Sequence, residues 1–157
     1  MRLNQTLPGT VCAFTFFLLA AGGAGPNRAG GHPLDHWYAR TSPEPYLQLS
    51  AVAYGGGQFV AVGAGMGFST TNVLTSPDGA NWTGRASGVS SRLNGITYGN
   101  GQFVAVGENV VMDSTDAVAW NSRAPMARLN AITFGQGYFV AVGEMGAGYA
   151  KIGRAHV

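Results

Sequence analysis

Charge is scarce in this chain, and so is every residue type that ordinarily assembles chemistry. Asp, Glu, Lys and Arg together supply only 10% of 157 residues, with a formal net charge of +2. No basic stripe exists to neutralise a phosphate backbone, which excludes a nucleic-acid partner. The single cysteine, Cys12, lies in an apolar stretch near the start, so the rest of the chain has no thiol chemistry and no disulfide framework. Only three histidines occur, His32, His36 and His156. His32 and His36 stand four apart around Asp35, but Pro33 opposes the helix that would place them on one face as metal ligands. No histidine lies between residues 37 and 155, so no Ser/His/Asp set can be drawn there. The expectation is no catalytic residue, no metal site and no cofactor.

Long apolar runs are absent too. A helical membrane span needs about 20 apolar residues. The apolar stretch Val11 to Ala21 has eleven, with Arg2 before it and small residues after it through Gly25. That pattern predicts a secretory signal peptide over 1–24, followed by a Gly/Pro/Asn linker over 25–36. The mature chain is then secreted or held at the cell surface, with no membrane span.

What the chain does have is glycine, 25 residues of it, and an internal repeat. Leu49 to Gly63 reads LSAVAYGGGQFVAVG, Leu93 to Gly107 reads LNGITYGNGQFVAVG, and Leu129 to Gly143 reads LNAITFGQGYFVAVG. The copies are offset by 44 and 36 residues. In each, two short runs rich in β-branched and aromatic residues flank a glycine-rich tetrad, which predicts a β-hairpin with a four-residue connection. A second element follows. Ser76-Pro77-Asp78-Gly79-Ala80-Asn81-Trp82 recurs as Ser114-Thr115-Asp116-Ala117-Val118-Ala119-Trp120, with Arg85 and Arg123 three residues after each Trp. The same ending stands alone upstream as Trp37-Tyr38-Ala39-Arg40. Strands are expected near 50–54, 58–63, 72–76 and 81–85, then 95–98, 102–107, 109–114 and 119–123, then 130–134 and 138–143. Four strands in about forty residues is the size of one propeller blade.

The Ser-x-Asp-Gly-x-x-Trp segment resembles the Asp-box of sialidase-like propellers, the BNR repeat. The unit from Trp37 to Gly143 is similar to secreted bacterial WD40/YVTN/BNR-like repeat proteins. Asp78 and Trp82 are one residue closer than the common spacing, and Ala117 replaces the glycine in the second copy. The resemblance implies an all-β fold over 37–150, a partial β-propeller of about two and a half four-stranded antiparallel blades. It also implies that Asp78, Trp82, Asp116 and Trp120 are structural. Both Trp side chains are then expected to be largely buried between blades, and Arg85 and Arg123 to make a repeated structural pairing. Val60, Val62, Val104, Val106, Val140 and Val142 should share one face orientation. The leading Trp37 strand would stay unpaired, join the first blade or fill the incomplete third.

Arg92 and Arg128 each precede a hairpin leucine, and Glu108 and Glu144 each follow a hairpin's last glycine. In a propeller those positions face the usual ligand side. They are the candidate binding residues, together with Phe68 in the longer connection 64–71, which could stack on a sugar; the alternative is solvated loop charge. The leading functional expectation is a non-catalytic module that binds a protein or glycan. The alternatives are a fragment of a sialidase-like glycoside hydrolase, and a structural spacer of a large surface protein. The end of the chain, 151–157, back-translates into a common sequencing-library adapter and is expected to be a non-native tail, which would leave the last hairpin with an unpaired edge.

Overall fold

A computed structural model describes residues 17–21, 37–44, 46–65, 69–125, 127–145 and 149–156, with side chains over 38–44, 46–65, 69–125 and 127–144. Strand β1 (Phe17–Ala21) pairs antiparallel with β2 (Trp37–Thr41). β3 (Gln48–Gly55), β4 (Gln58–Ala64), β5 (Thr71–Ser76) and β6 (Thr83–Ala86) form one four-stranded antiparallel sheet in sequence order. β7 (Leu93–Gly99), β8 (Gln102–Gly107), β9 (Val110–Ser114) and β10 (Asn121–Arg123) form a second. β11 (Arg128–Gly135), β12 (Tyr138–Met145) and β13 (Tyr149–His156) form a third, of three strands. The described residues are all-β.

Each hairpin turns on two residues, not four. Gly55 pairs with Gln58, Gly99 with Gln102 and Gly135 with Tyr138. The residues between have positive φ: Gly56 and Gly57, Asn100 and Gly101, Gln136 and Gly137. Two left-handed residues match the twist of the flanking strands, so the ladders run to the turn. At the far end of each hairpin the register slips by one, between Leu49 and Ala51, Leu93 and Gly95, Leu129 and Ala131. This repeated bulge drives a backbone carbonyl against the glycine that closes each copy. A Cβ at Gly63, Gly107 or Gly143 would collide with the carbonyl of Gln48, Arg92 or Arg128.

Two other expectations need correction. The strand after each Ser-x-Asp turn begins at Thr83 and Asn121, beyond the tryptophan, because Asp78 and Asp116 draw the preceding backbone N–H groups into the turn. The leading strand β2 takes none of the three expected places; it pairs with β1, inside the segment read as a signal peptide. The remainder of that segment lies outside the described residues. The last hairpin's outer strand is covered, since β13 pairs along β12 from Met145↔Tyr149 to Tyr138↔His156. The boundary drawn at 150/151 therefore falls inside a strand.

The sheets stack face on face, with first strands adjacent: β3 beside β7, and β7 beside β11. Alternation divides each hairpin between two neighbours. Val60, Val62 and Val73 of the first sheet meet Ile96, Phe103, Ala105 and Met112 of the second. Val106, on the opposite face of the second sheet, meets Leu129 and Ala141 of the third. The six valines occupy equivalent register positions: Val60↔Ala53, Val104↔Thr97 and Val140↔Thr133, and likewise Val62, Val106 and Val142. Val62 and Val106 are buried, whereas Val142 is 43% exposed, because among the described residues no further sheet covers the third.

One contact recurs at both interfaces. The Tyr98 ring lies against Gly55, and the Phe134 ring against Gly99; a Cβ at either glycine would fall inside the ring. Each ring is steadied by its cross-strand partner, Tyr98 by Phe103 at 4.7 Å and Phe134 by Phe139 at 4.7 Å between centroids. Phe103 is fully buried. Phe103→Ala is expected to destabilise the fold by about 3–5 kcal/mol in chemical denaturation; a loss under about 1 kcal/mol would show that the first interface is loosely packed.

Candidate functional site

The registers sort the loops onto two opposite rims. The two-residue hairpin turns and the Ser-x-Asp turns share one rim, since Gly55↔Gln58 stands at the same end as Phe59↔Ser76. The connection after β4 and the crossing from β6 to β7 share the other, beyond Gln48↔Ala64.

The first rim is built by carboxylates that organise backbone. Asp78 Oδ1 accepts the N–H groups of Ala80 at 2.9 Å and Asn81 at 2.8 Å. Ser76 Oγ donates to Asp78 at 3.0 Å and accepts the Gly79 N–H at 2.9 Å. The second copy repeats this through Asp116, Val118, Ala119 and Ser114. Backbone N–H bonds hold the Asp78 carboxyl far below the usual carboxylate range and lower Asp116 in the same way. Trp82 donates its indole N–H to the Gly79 carbonyl at 3.0 Å, and Trp120 to the Ala117 carbonyl at 3.3 Å. These bonds keep the indoles beside their own turns, so both are half-buried rather than sealed between sheets. Trp120 packs at the edge of the first interface, and Trp82 on the outer face of the first sheet with Leu47, Ala61 and Leu74. Ala117 holds φ 60° where the first copy has Gly79 at φ 72°. The turn geometry thus survives without glycine.

Arg85 and Arg123 do pair in register. Arg85 Nε donates to Thr75 Oγ1 at 3.2 Å, and Arg123 binds the equivalent Asp113 at 2.6 Å.

The second rim carries the candidate binding residues. Arg128 stands opposite Glu144 across β11 and β12. Arg128 also bridges to Glu108 of the neighbouring sheet, with Nε 3.8 Å from the carboxylate. Glu108 N–H donates to the Arg92 carbonyl at 2.9 Å, and Asn109 N–H to the Ala127 carbonyl at 3.1 Å. Arg92, Glu108, Arg128 and Glu144 are all exposed and lie on one continuous rim. Phe68 lies outside the described residues. Equivalent position 64 is alanine, so the charge is confined to the second and third sheets.

Asn72 was not singled out by its sequence context. It is fully buried at the start of β5, where the second copy has Val110. Its Nδ2 donates to the Val89 carbonyl at 3.0 Å and the Ser91 carbonyl at 3.1 Å, fixing the crossing that delivers Arg92 to the rim. Among the described residues no group of three His, Cys, Asp or Glu side chains could hold a metal ion, and no helix is long and apolar enough to cross a membrane. In comparisons with known proteins, no family model and no curated protein matches the chain.

The lowered carboxyls give stability a defined pH dependence. Their folded values lie below the unfolded value of about 3.9, so their contribution is complete above that pH and is lost as pH falls through the folded values. Thermal unfolding followed downward from neutral pH should decline only on the acid side of about pH 4, and Asp78→Asn with Asp116→Asn should flatten that decline. Gly79→Ala should cost only about 1 kcal/mol in the same assay, since its methyl would meet Phe59 at ordinary contact distance and Ala117 already adopts the conformation.

Proposed function

We propose that this chain is an arc of a BNR-like propeller, exported from the cell, whose charged rim binds a protein or glycan partner without catalysis. The radial reading is supported by three successive sheets whose first strands are neighbours and whose faces interlock in a fixed order. The Ser-x-Asp turns support it further, because they occupy the rim opposite the one offered for binding. The observation that carries the functional proposal is the charged rim itself. Register alone brings two guanidinium groups and two carboxylates onto one solvent-facing edge, linked across sheets by Arg128 and Glu108. An exposed pair at 3.8 Å contributes under about 1 kcal/mol to folding. These charges therefore have little structural reason to be there, while guanidinium forks and carboxylates suit sugar hydroxyls and polar peptide groups.

Glycan-array and pull-down binding by the full chain should weaken about tenfold or more when Arg92 and Arg128 are both changed to Ala, a loss of about 1.4 kcal/mol, with the melting temperature unchanged. Unchanged binding would remove the rim from the account. Hydrolysis of a chromogenic glycoside that disappears in Glu108→Gln would replace the non-catalytic reading with a glycosidase.

A further inference from the structure

The two ends of the stack are complementary to each other. At each internal interface one sheet presents an aromatic ring and the next receives it on a glycine, Tyr98 on Gly55 and Phe134 on Gly99. Among the described residues the series leaves one ring and one seat over. Tyr54, equivalent to Tyr98, is 59% exposed on the outer face of the first sheet. Its ring is nonetheless held as in the other copies, tilted against Phe59 at 4.6 Å between centroids. Gly135, equivalent to Gly55 and Gly99, faces out from the third sheet, and a Cβ there would meet nothing within 4 Å. Along the first strands the apolar surroundings match as well, while Ala61 and Leu74, the equivalents of Ala105 and Met112, are already buried within the chain beside Leu47 and Trp82. Val52, two residues before Tyr54, is 55% exposed, and Val142, farther along the face that carries Gly135, is 43% exposed. The internal interfaces bury the equivalents of both, Ile96 and Val62.

We infer that a second copy of this chain docks head-to-tail, seating Tyr54 of one copy on Gly135 of the other. The contact continues the interface already present twice within the chain. A polar element supports the same register. Asn94, at the bulge of β7, donates to the Leu129 carbonyl of the next sheet at 2.8 Å. Asn130 occupies the equivalent bulge of β11 and is exposed, and by that equivalence it would donate to the Leu49 carbonyl of a docked copy. The contact joins two different surfaces, so it is heterologous: it either closes a ring of copies or grows an open chain. Tyrosine suits such a contact because it buries a large rigid ring at small entropic cost.

Two substitutions separate this association from folding. Gly135→Val fills the seat, yet its side chain enters open space within one copy. Tyr54→Ala removes the ring and leaves the seat intact. Sedimentation velocity of the full chain should show species at twice the monomer mass or more, growing with concentration. Each variant alone should sediment as a monomer with an unchanged circular dichroism spectrum and melting temperature. An equimolar mixture should recover dimers, because the seat of Tyr54→Ala receives the intact ring of Gly135→Val. A parent chain that stays monomeric at its highest soluble concentration would overturn the inference and leave the end faces to a different partner. Association that persists in both variants, or a mixture that stays monomeric, would overturn it equally.

Discussion

The stack depends on an aromatic ring lying where a side chain would otherwise be. Sheets packed face to face ordinarily stand about 10 Å apart, separated by the side chains of both. Here Tyr98 and Phe134, at the ends of the first strands of the second and third sheets, each reach over a glycine of the preceding sheet. The missing Cβ makes room for the ring, and the ring fills the space the glycine leaves. The same strand thus supplies the ring for one neighbour and, one residue later, the seat for the next. The dipeptides Tyr54-Gly55, Tyr98-Gly99 and Phe134-Gly135 encode both halves. Side chains alternate across a strand, so adjacent residues necessarily face opposite sheets. A polarity follows, with every sheet meeting its successor in the same orientation.

The two rims inherit their roles from this arrangement. Turn carboxylates on one rim spend their hydrogen-bonding capacity on backbone N–H groups. They are thereby committed to shape and have little left for a ligand. On the other rim the bulged ends of the hairpins present arginine and glutamate outward, and their backbone is already satisfied by neighbouring strands. Side chains with no backbone duty are the ones free to meet a partner. Asn72 contributes from beneath, by holding the crossing that ends at Arg92.

Much of this was legible in the residues. Alternating apolar positions locate the three repeated hairpins, because a period of two is readable even in short strands. The rim charges could be placed together from register alone, since Arg before the hairpin leucine and Glu after its last glycine must sit at one end of the ladder. The turn type was harder. Gly55 to Gln58 looks like a four-residue loop, but only Gly56 and Gly57 are left-handed, and the outer pair belongs to the strands. The size of the tryptophans predicts burial between sheets, where large aromatics usually lie. With only three residues between Asp78 and Trp82, the indole instead caps its own turn. β13 had no counterpart motif to betray it, and its place follows from pairing with β12 alone. Asn72 was invisible because its partners are carbonyls of a non-repeating connection.

The most direct test of ring-on-glycine packing is a double-mutant cycle on Gly99→Ala and Phe134→Ala, read by chemical denaturation. A methyl at residue 99 should cost about 1–3 kcal/mol against the intact ring, through overpacking. In the Phe134→Ala background that cost should vanish, giving a coupling energy of similar size. Equal costs in both backgrounds would mean that the ring does not rest on the glycine, and the account of how the sheets stack would fail.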